Sequence, residues 1–191
     1  MVDRIPSQML DREALVLMLL RELSDDHRRE LERRGSDSRF SNTLAGTVLD
    51  YGVGRYGARL PRGLRKLTNG PSYWPNAVLM LCDQGRFVYC DGYAISTIFR
   101  GLTLRHAWVL DRENGDQVVD TTWARPFEAV YLGIPFAPKF VRERMRKSGY
   151  YGVHYGVMHM HGEPVLKRPP ERWLHPDAAA LARDFSVSRD A

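Results

Sequence analysis

The N-terminal third of the chain has the apolar spacing of amphipathic helices. A helix over 10–22 is predicted because apolar residues recur there three and four positions apart. The face that they form contains Leu10, Ala14, Leu17 and Met18. Ser24 offers a capping oxygen for a second helix, which would end before Gly35. A third helix is predicted over 42–53, and the glycine- and proline-containing stretch 54–71 is predicted to be a loop.

The middle third changes to runs of aromatic and β-branched residues. Ser72 is expected to cap a short helix that runs through Leu81, with Pro75 in its first turn, where a missing N–H costs nothing. Three strands are predicted after it, over 86–95, 102–110 and 117–123. The dipeptide Asn114-Gly115 between the last two strands is a strong hairpin signal.

The last third mixes the two patterns. Residues 140–147 are a charged helix candidate, 150–161 a strand candidate and 177–185 a short closing helix. Together the elements predict an α+β fold in which a helical N-terminal layer packs on an antiparallel sheet. The expected organisation is one compact unit with a helical N-terminal region, a core and a C-terminal extension, over 1–69, 70–165 and 166–191 respectively.

Length and composition narrow the class of protein. A chain of 191 residues with 43% hydrophobic residues is long enough for one domain with a real core. Its longest apolar run, Ala14 to Leu20, is far shorter than the roughly 18–20 residues of a membrane span. The N-terminus has no cleavable signal pattern. We therefore expect a cytoplasmic protein with no membrane partner.

The charge and the cysteine content exclude further classes. The formal net charge is +5, but the 23 acidic residues are interspersed with the basic ones and no long basic block exists, so a nucleic-acid partner is not expected. The two cysteines, Cys82 and Cys90, are too few for a disulfide-rich scaffold or a zinc site of four cysteines. Either thiol is available for chemistry.

Three short motifs follow one another in the strand region. They are Cys90-Asp91-Gly92-Tyr93-Ala94, His106-Ala107-Trp108 and Val119-Asp120-Thr121-Thr122-Trp123. In this order they resemble the transglutaminase-like branch of the papain-like cysteine protease superfamily, which often shows Cys-x-Gly-Tyr-Ala, His-Ala-Trp and Asp-Pro-Thr-Trp motifs. Thr121 stands where that branch usually has proline. The resemblance spans residues 90–123, and a similar block is found in uncharacterised bacterial and phage proteins.

The resemblance implies a papain-like core that performs cysteine-dependent acyl transfer at an amide bond, as a peptidase, an amidase or a transglutaminase-like enzyme. An imidazole can take the proton of a thiol whose pKa is ordinarily about 8.5, and a carboxylate beyond the ring can hold the imidazolium. Cys90 would be the nucleophile, His106 the base and then the acid, and Asp120 the residue that orients His106. The substrate would be a peptide or an amide-containing small molecule, and no cofactor is required.

The resemblance also suggests which residues complete the cleft. The substrate-binding candidates are Asn76 as an oxyanion donor, Asp91 at the cleft edge, and Trp108 and Trp123 as walls. In the resembled fold, however, the nucleophile opens a helix whose dipole lowers the thiol pKa, whereas Cys90 lies in a predicted strand. Ser72, which opens the predicted helix, is therefore the alternative nucleophile.

Two further interpretations remain open. In the first, the chain has lost the nucleophile of the resembled family and is a binding or accessory protein for a ligand or a protein partner. Each residue also has a plain structural interpretation, since Cys90 in an aromatic strand is often a small buried apolar residue, His106 a core histidine and Asp120 a turn residue.

The register of the hairpin decides whether His106 and Asp120 can meet. With a two-residue turn the numbers of paired residues sum to 229, and Asp120 points away from the face of His106. A three-residue loop over 113–115, with Gly115 left-handed, makes the sum 228 and places Asp120 opposite Trp108, on the face of His106. The catalytic hypothesis therefore predicts a register in which the numbers of paired residues sum to 228.

A second candidate site is formed by three histidines, His154, His159 and His161. His159 and His161 would share one face of a strand, and they would ligate zinc if a third ligand such as His175 joined them. The spacing lacks the helical His-Glu-x-x-His pattern, so we expect no metal and predict a surface that lines a groove or contacts a partner.

Overall fold

A computed structural model describes residues 12–34, 43–67, 73–99, 101–147 and 169–181. The helices are α1 (Arg12–Arg34), α2 (Leu44–Tyr51), α3 (Tyr73–Cys82), α4 (Pro138–Lys147) and α5 (Ala178–Leu181). The strands are β1 (Val53–Tyr56), β2 (Phe87–Ser96), β3 (Thr103–Asp111), β4 (Gln117–Val119) and β5 (Ala129–Pro135). No helix in these ranges is long and apolar enough to cross a membrane.

The strands form one antiparallel sheet in the order β1-β5-β2-β3-β4. All residues of β2 and β5 are buried, which places these two strands inside the molecule. Aromatic and β-branched residues fill both strands, as a pleated surface buried on two sides favours. The predicted α+β class and the antiparallel sheet are confirmed.

The two faces of the sheet have different partners. On one face, apolar side chains of α1 to α4 pack against β2, β3 and β5, and Leu15, Leu19 and Leu23 of α1 are at most 1% exposed. Fully burying such a leucine contributes about 1.5–3 kcal/mol, so this layer holds the N-terminal helices to the sheet. The opposite face carries a second cluster that includes Trp108, Tyr131 and Leu181.

Two predicted helices are one continuous helix in the structure. The Ser24 hydroxyl donates to the carbonyl oxygen of Leu20 at 2.8 Å, so this residue lies inside α1 and does not cap a new helix. Ion pairs three residues apart support the polar face of α1, and they join Asp25 to Arg28, Asp26 to Arg29 and Glu30 to Arg33. Such pairs stabilise a helix weakly and favour its continuation through Ser24.

The strand predictions were wrong at three places. Residues 54–56 belong to β1 and not to a loop, and β5 was not predicted. Both contain glycine, and their strand conformation is stabilised by pairing with each other and with β2, which no local pattern reveals. β4 ends at Val119 and not at residue 123, because the Asp120 carboxylate accepts the N–H of Thr122 at 2.9 Å.

The hairpin between β3 and β4 has the predicted register with a longer loop. Val109 pairs with Val119, which gives the even sum of 228. The loop spans 112–116 and not 113–115, and it contains a short 3-10 turn. Gly115 is left-handed at φ 68°, as predicted, and Asp116 is left-handed as well at φ 58°.

Several predictions fall outside the described residues. These are the strand over 150–161 with His154, His159 and His161, and the helix-capping residue Ser72. The closing helix predicted over 177–185 is described only as α5, and the charged helix predicted over 140–147 begins earlier, at Pro138.

Candidate acid–base site

His106 and Asp120 meet on the face of the sheet opposite the N-terminal helices. His106 belongs to β3, and Asp120 follows β4 directly. The Nε2 atom of His106 lies 2.7 Å from Oδ2 of Asp120. His106 is 4% exposed and Asp120 is fully buried, so their contact is shielded from bulk water. The even hairpin register is what brings them together.

The carboxylate of Asp120 is surrounded by hydrogen-bond donors. Oδ2 also accepts from the Tyr131 hydroxyl at 3.0 Å, and Oδ1 accepts from the N–H and the hydroxyl of Thr122 at 2.9 and 2.6 Å. Burial alone would raise the pKa of Asp120, but His106 and Thr122 outweigh burial and hold this pKa below its ordinary value. Asp120 is therefore ionised at neutral pH.

The ionised carboxylate fixes the tautomer of His106. A carboxylate without a proton can only accept, so the hydrogen of the neutral imidazole is on Nε2. Nδ1 then carries the lone pair, and it forms no hydrogen bond with any residue that the structure describes. An unprotonated ring nitrogen held in this way is the arrangement of a general base.

Aromatic rings hold the imidazole from the sides. The ring of Trp123 lies 4.3 Å from that of His106 and the ring of Tyr131 lies 6.0 Å away, measured between centroids. Trp123 is only half-buried and continues to Phe99, whose ring is 5.2 Å away in an edge-on contact. Trp123 therefore lies beside His106, and its role as a wall for substrate stays a prediction.

Small residues let large rings converge here. Gly92 of β2 pairs with His106 of β3 on one side and with Gly133 of β5 on the other. No β2 side chain therefore stands between β3 and β5 at this level of the sheet. A Cβ on Gly133 would lie 2.5 Å from the end of the Trp108 ring, which shows that this ring reaches from β3 across β2 to β5. Trp108 is fully buried and belongs to the core, so it does not wall an open cleft as predicted.

The structure does not bring Cys90 to His106. Cys90 pairs with Trp108, whereas Gly92 lies opposite His106, and such diagonal positions are about 7–8 Å apart. Cys90 is fully buried in the second apolar cluster, and its Sγ donates to the carbonyl of Val88 at 3.9 Å. Burial raises the pKa of this thiol. The predicted contact of Cys90 with the His106–Asp120 pair is absent here, and the thiol is a core residue of β2.

Two of the predicted substrate-binding residues are placed elsewhere. Asp91 pairs with Ala107 and is fully buried on the helix-covered face, so it does not edge a cleft beside His106. Asn76 is fully buried, with its amide nitrogen donating to the Ala107 carbonyl at 2.9 Å and its amide oxygen accepting from Thr121 at 3.2 Å. Both polar ends of Asn76 thus have partners, and the residue anchors α3 instead of facing an oxyanion.

His175, the predicted third metal ligand, has a structural contact. It is 8% exposed, and its Nδ1 accepts the N–H of Asp177 at 3.2 Å. Burial lowers the pKa of this imidazole. Within the described part of the chain, no three histidine, cysteine or acidic side chains group as metal ligands.

The sequence analysis missed Tyr131 and Thr122 as parts of the site. Tyr131 lies on the unpredicted strand β5, so nothing placed its hydroxyl near Asp120. Thr122 had a recognisable signal, since an aspartate commonly accepts the N–H of the residue two positions later. Comparison with protein-family models, with curated proteins and with solved structures finds no match for this chain.

Proposed function

We propose that His106 and Asp120 are the acid–base dyad of an acyl-transfer site that acts on an amide carbonyl, and that Cys90 is not its nucleophile. The observation that carries the proposal is the 2.7 Å contact of His106 with a carboxylate that is ionised, buried and further held by Tyr131 and Thr122. This environment leaves one ring nitrogen of His106 available for proton transfer.

The chemistry follows from that nitrogen. Nδ1 of His106 takes the proton of an attacking hydroxyl while the oxygen forms a bond with the carbonyl carbon. The imidazolium, stabilised by Asp120, then gives the proton to the amine nitrogen as the carbon–nitrogen bond breaks. A second acceptor, water or an amine, releases the acyl group by the same steps.

The nucleophile that we propose is the hydroxyl of Ser72. Asn76 joins α3 to Ala107 and Thr121, which directly follow His106 and Asp120. α3 belongs to the helix layer, so Ser72 would approach His106 around the edge of β3, which β4 pairs only from Val109 onward. Ser72 directly precedes α3 in the sequence. Cys90, in contrast, is enclosed in the sheet.

A ligand-binding function without turnover is the second candidate. The burial of Cys90 favours it, because the resembled enzymes need a reactive thiol and this one is inaccessible. In that case the His106–Asp120 pair would orient and hydrogen-bond a carbonyl-containing ligand.

Acylation with p-nitrophenyl acetate tests the proposal in a Cys82→Ala background, which removes the exposed thiol. We expect release of p-nitrophenol and an acetyl group on Ser72, mapped by peptide mass spectrometry. Ser72→Ala and His106→Ala should each lower the rate at least about a hundredfold, the usual contribution of general-base catalysis.

Two control variants make the outcomes distinct. Cys90→Ala and Ser24→Ala should keep the rate within about twofold, since the side chains of both residues hydrogen-bond to backbone carbonyls away from the dyad. An acetyl group on Cys90 that depends on His106 would contradict the proposal and restore the cysteine triad. No acylation at all, with the protein folded, would favour the binding function.

A further inference from the structure

A partly exposed aromatic surface continues directly from the imidazole of His106. It consists of Phe99 and Trp123, which we call the aromatic ledge. The Trp123 ring lies 4.3 Å from the His106 ring and 5.2 Å from the Phe99 ring. Phe99 ends the short turn after β2 and Trp123 follows β4, so the ledge is built by two separate connections.

The ledge is part of an exposed apolar cluster. Among the described residues, six large apolar side chains are exposed, and three of them are within residues 98–102. Ile98 and Phe99 are each 41% exposed and Leu102 is 56% exposed. The N–H of Leu102 donates to the Phe99 carbonyl at 3.0 Å, which holds this cluster in one turn. Contiguous exposed apolar surface beside a polar site typically marks a binding surface.

The ledge is uncharged although the chain is rich in arginine. The arginine side chains that stack on rings in the described residues lie over Tyr56, Phe87, Phe127 and Phe140, and none lies over Phe99 or Trp123. The nearby Glu128, which accepts from Thr97 at 3.2 Å, is neutralised by Arg125. A neutral apolar group fits this surface better than a cation or an anion does.

We infer that the aromatic ledge binds an aromatic or bulky aliphatic side chain next to the carbonyl that reacts at His106. The site would thereby select peptide or amide substrates with such a neutral group on the acyl side. This inference rests on the proposed function for the identity of the reacting carbonyl. Binding of such a group to the ledge can be measured without turnover.

Fluorine NMR of the protein labelled with 5-fluorotryptophan tests the inference. The Trp123 signal is assigned with Trp123→Phe, and the probes are N-acetyl-phenylalaninamide, N-acetyl-alaninamide and N-acetyl-lysinamide. We expect a saturable shift of the Trp123 signal and an affinity for the phenylalanine amide at least about tenfold above the other two, as a pocket contact of this size provides.

Matched variants locate the preference. Phe99→Ala should reduce it below about threefold, whereas Leu17→Ala, which removes a more exposed apolar side chain from α1, should leave it unchanged. Equal affinities for the three amides, or an unshifted Trp123 signal, would overturn the inference. Binding with the expected preference but no acylation of the protein would overturn the proposed function and leave the ledge intact.

Discussion

At the scale of single residues, the site is organised by one carboxylate. Asp120 accepts hydrogen bonds from His106, Tyr131 and Thr122, and His106 and Thr122 keep it ionised in spite of its burial. The residue types and their order identified His106 and Asp120 from the sequence. The donors around them were not predictable in full, because Tyr131 comes from a strand that only tertiary pairing defines.

Asp120→Asn should destabilise the protein in a pH-dependent way. Because the folded pKa of Asp120 lies below its unfolded value of about 3.9, its contribution to the free energy of unfolding is complete above that pH and is lost as the pH falls through the folded pKa. We expect a loss of about 1.5–3 kcal/mol at pH 7 that shrinks below about pH 4. Urea unfolding at several pH values measures it.

The exposed aspartate of α2 provides the control for this experiment. Asp50→Asn should change the free energy of unfolding by less than about 0.5 kcal/mol at pH 7. A loss in Asp120→Asn that stayed constant down to pH 3 would show that the carboxylate charge is not what these contacts stabilise.

At the scale of secondary-structure elements, the hairpin between β3 and β4 is decisive. Its even register places Asp120 on the face of His106, and the turn residues near Gly115 predicted that register. They did not predict the loop length, because the Asp111 carboxylate holds Arg86, Asn114 and the Glu113 N–H and so orders five residues in place of three. Burial would raise the pKa of Asp111, but the hydrogen bonds from Arg86 and Asn114 outweigh burial and hold this pKa below its ordinary value.

Gly115→Ala should weaken this hairpin. Gly115 is left-handed, where a side chain costs about 1–2 kcal/mol, and no atom lies within 4 Å of an added Cβ, so the backbone conformation is the cause of the loss. Asp116→Gly is the matched variant. It should raise the stability of the protein, since Asp116 also has a positive φ and glycine adopts that backbone conformation without strain. Thermal unfolding of both variants checks this, and equal stability of Gly115→Ala and the unsubstituted protein would contradict it.

At the scale of the whole molecule, the sheet separates a structural face from a face that carries the site. The first helix of that face follows from amphipathic spacing, whereas the helix after Ser72 was predicted from its capping serine and from Pro75. The second face depends on Gly133 of β5, which leaves room for the end of the Trp108 ring. Contacts between strands distant in sequence cannot be read from local patterns, so the crossing of the Trp108 ring was not predictable, whereas a buried Cys90 was one of the interpretations that the sequence left open.

Gly133→Ala should destabilise the molecule through this crossing. The added Cβ would lie 2.5 Å from the Trp108 ring and 2.8 Å from the Asp91 carbonyl oxygen, and relief requires the strands to move. Overpacking of this kind costs about 1–3 kcal/mol. The control is Gly85→Ala, whose Cβ would have ordinary contact with Asp83 at 3.7 Å. Similar free energies of unfolding for the two variants would argue against the crossing ring.

The central claim is that Asp120 holds His106 with the proton on Nε2 and the lone pair on Nδ1. Nitrogen-15 NMR of the histidine ring at a pH where the ring is neutral measures this directly. We predict a protonated Nε2 and an unprotonated Nδ1 for His106, with loss of that preference in Asp120→Asn. A His106 ring protonated on Nδ1, in the folded protein, would contradict the account.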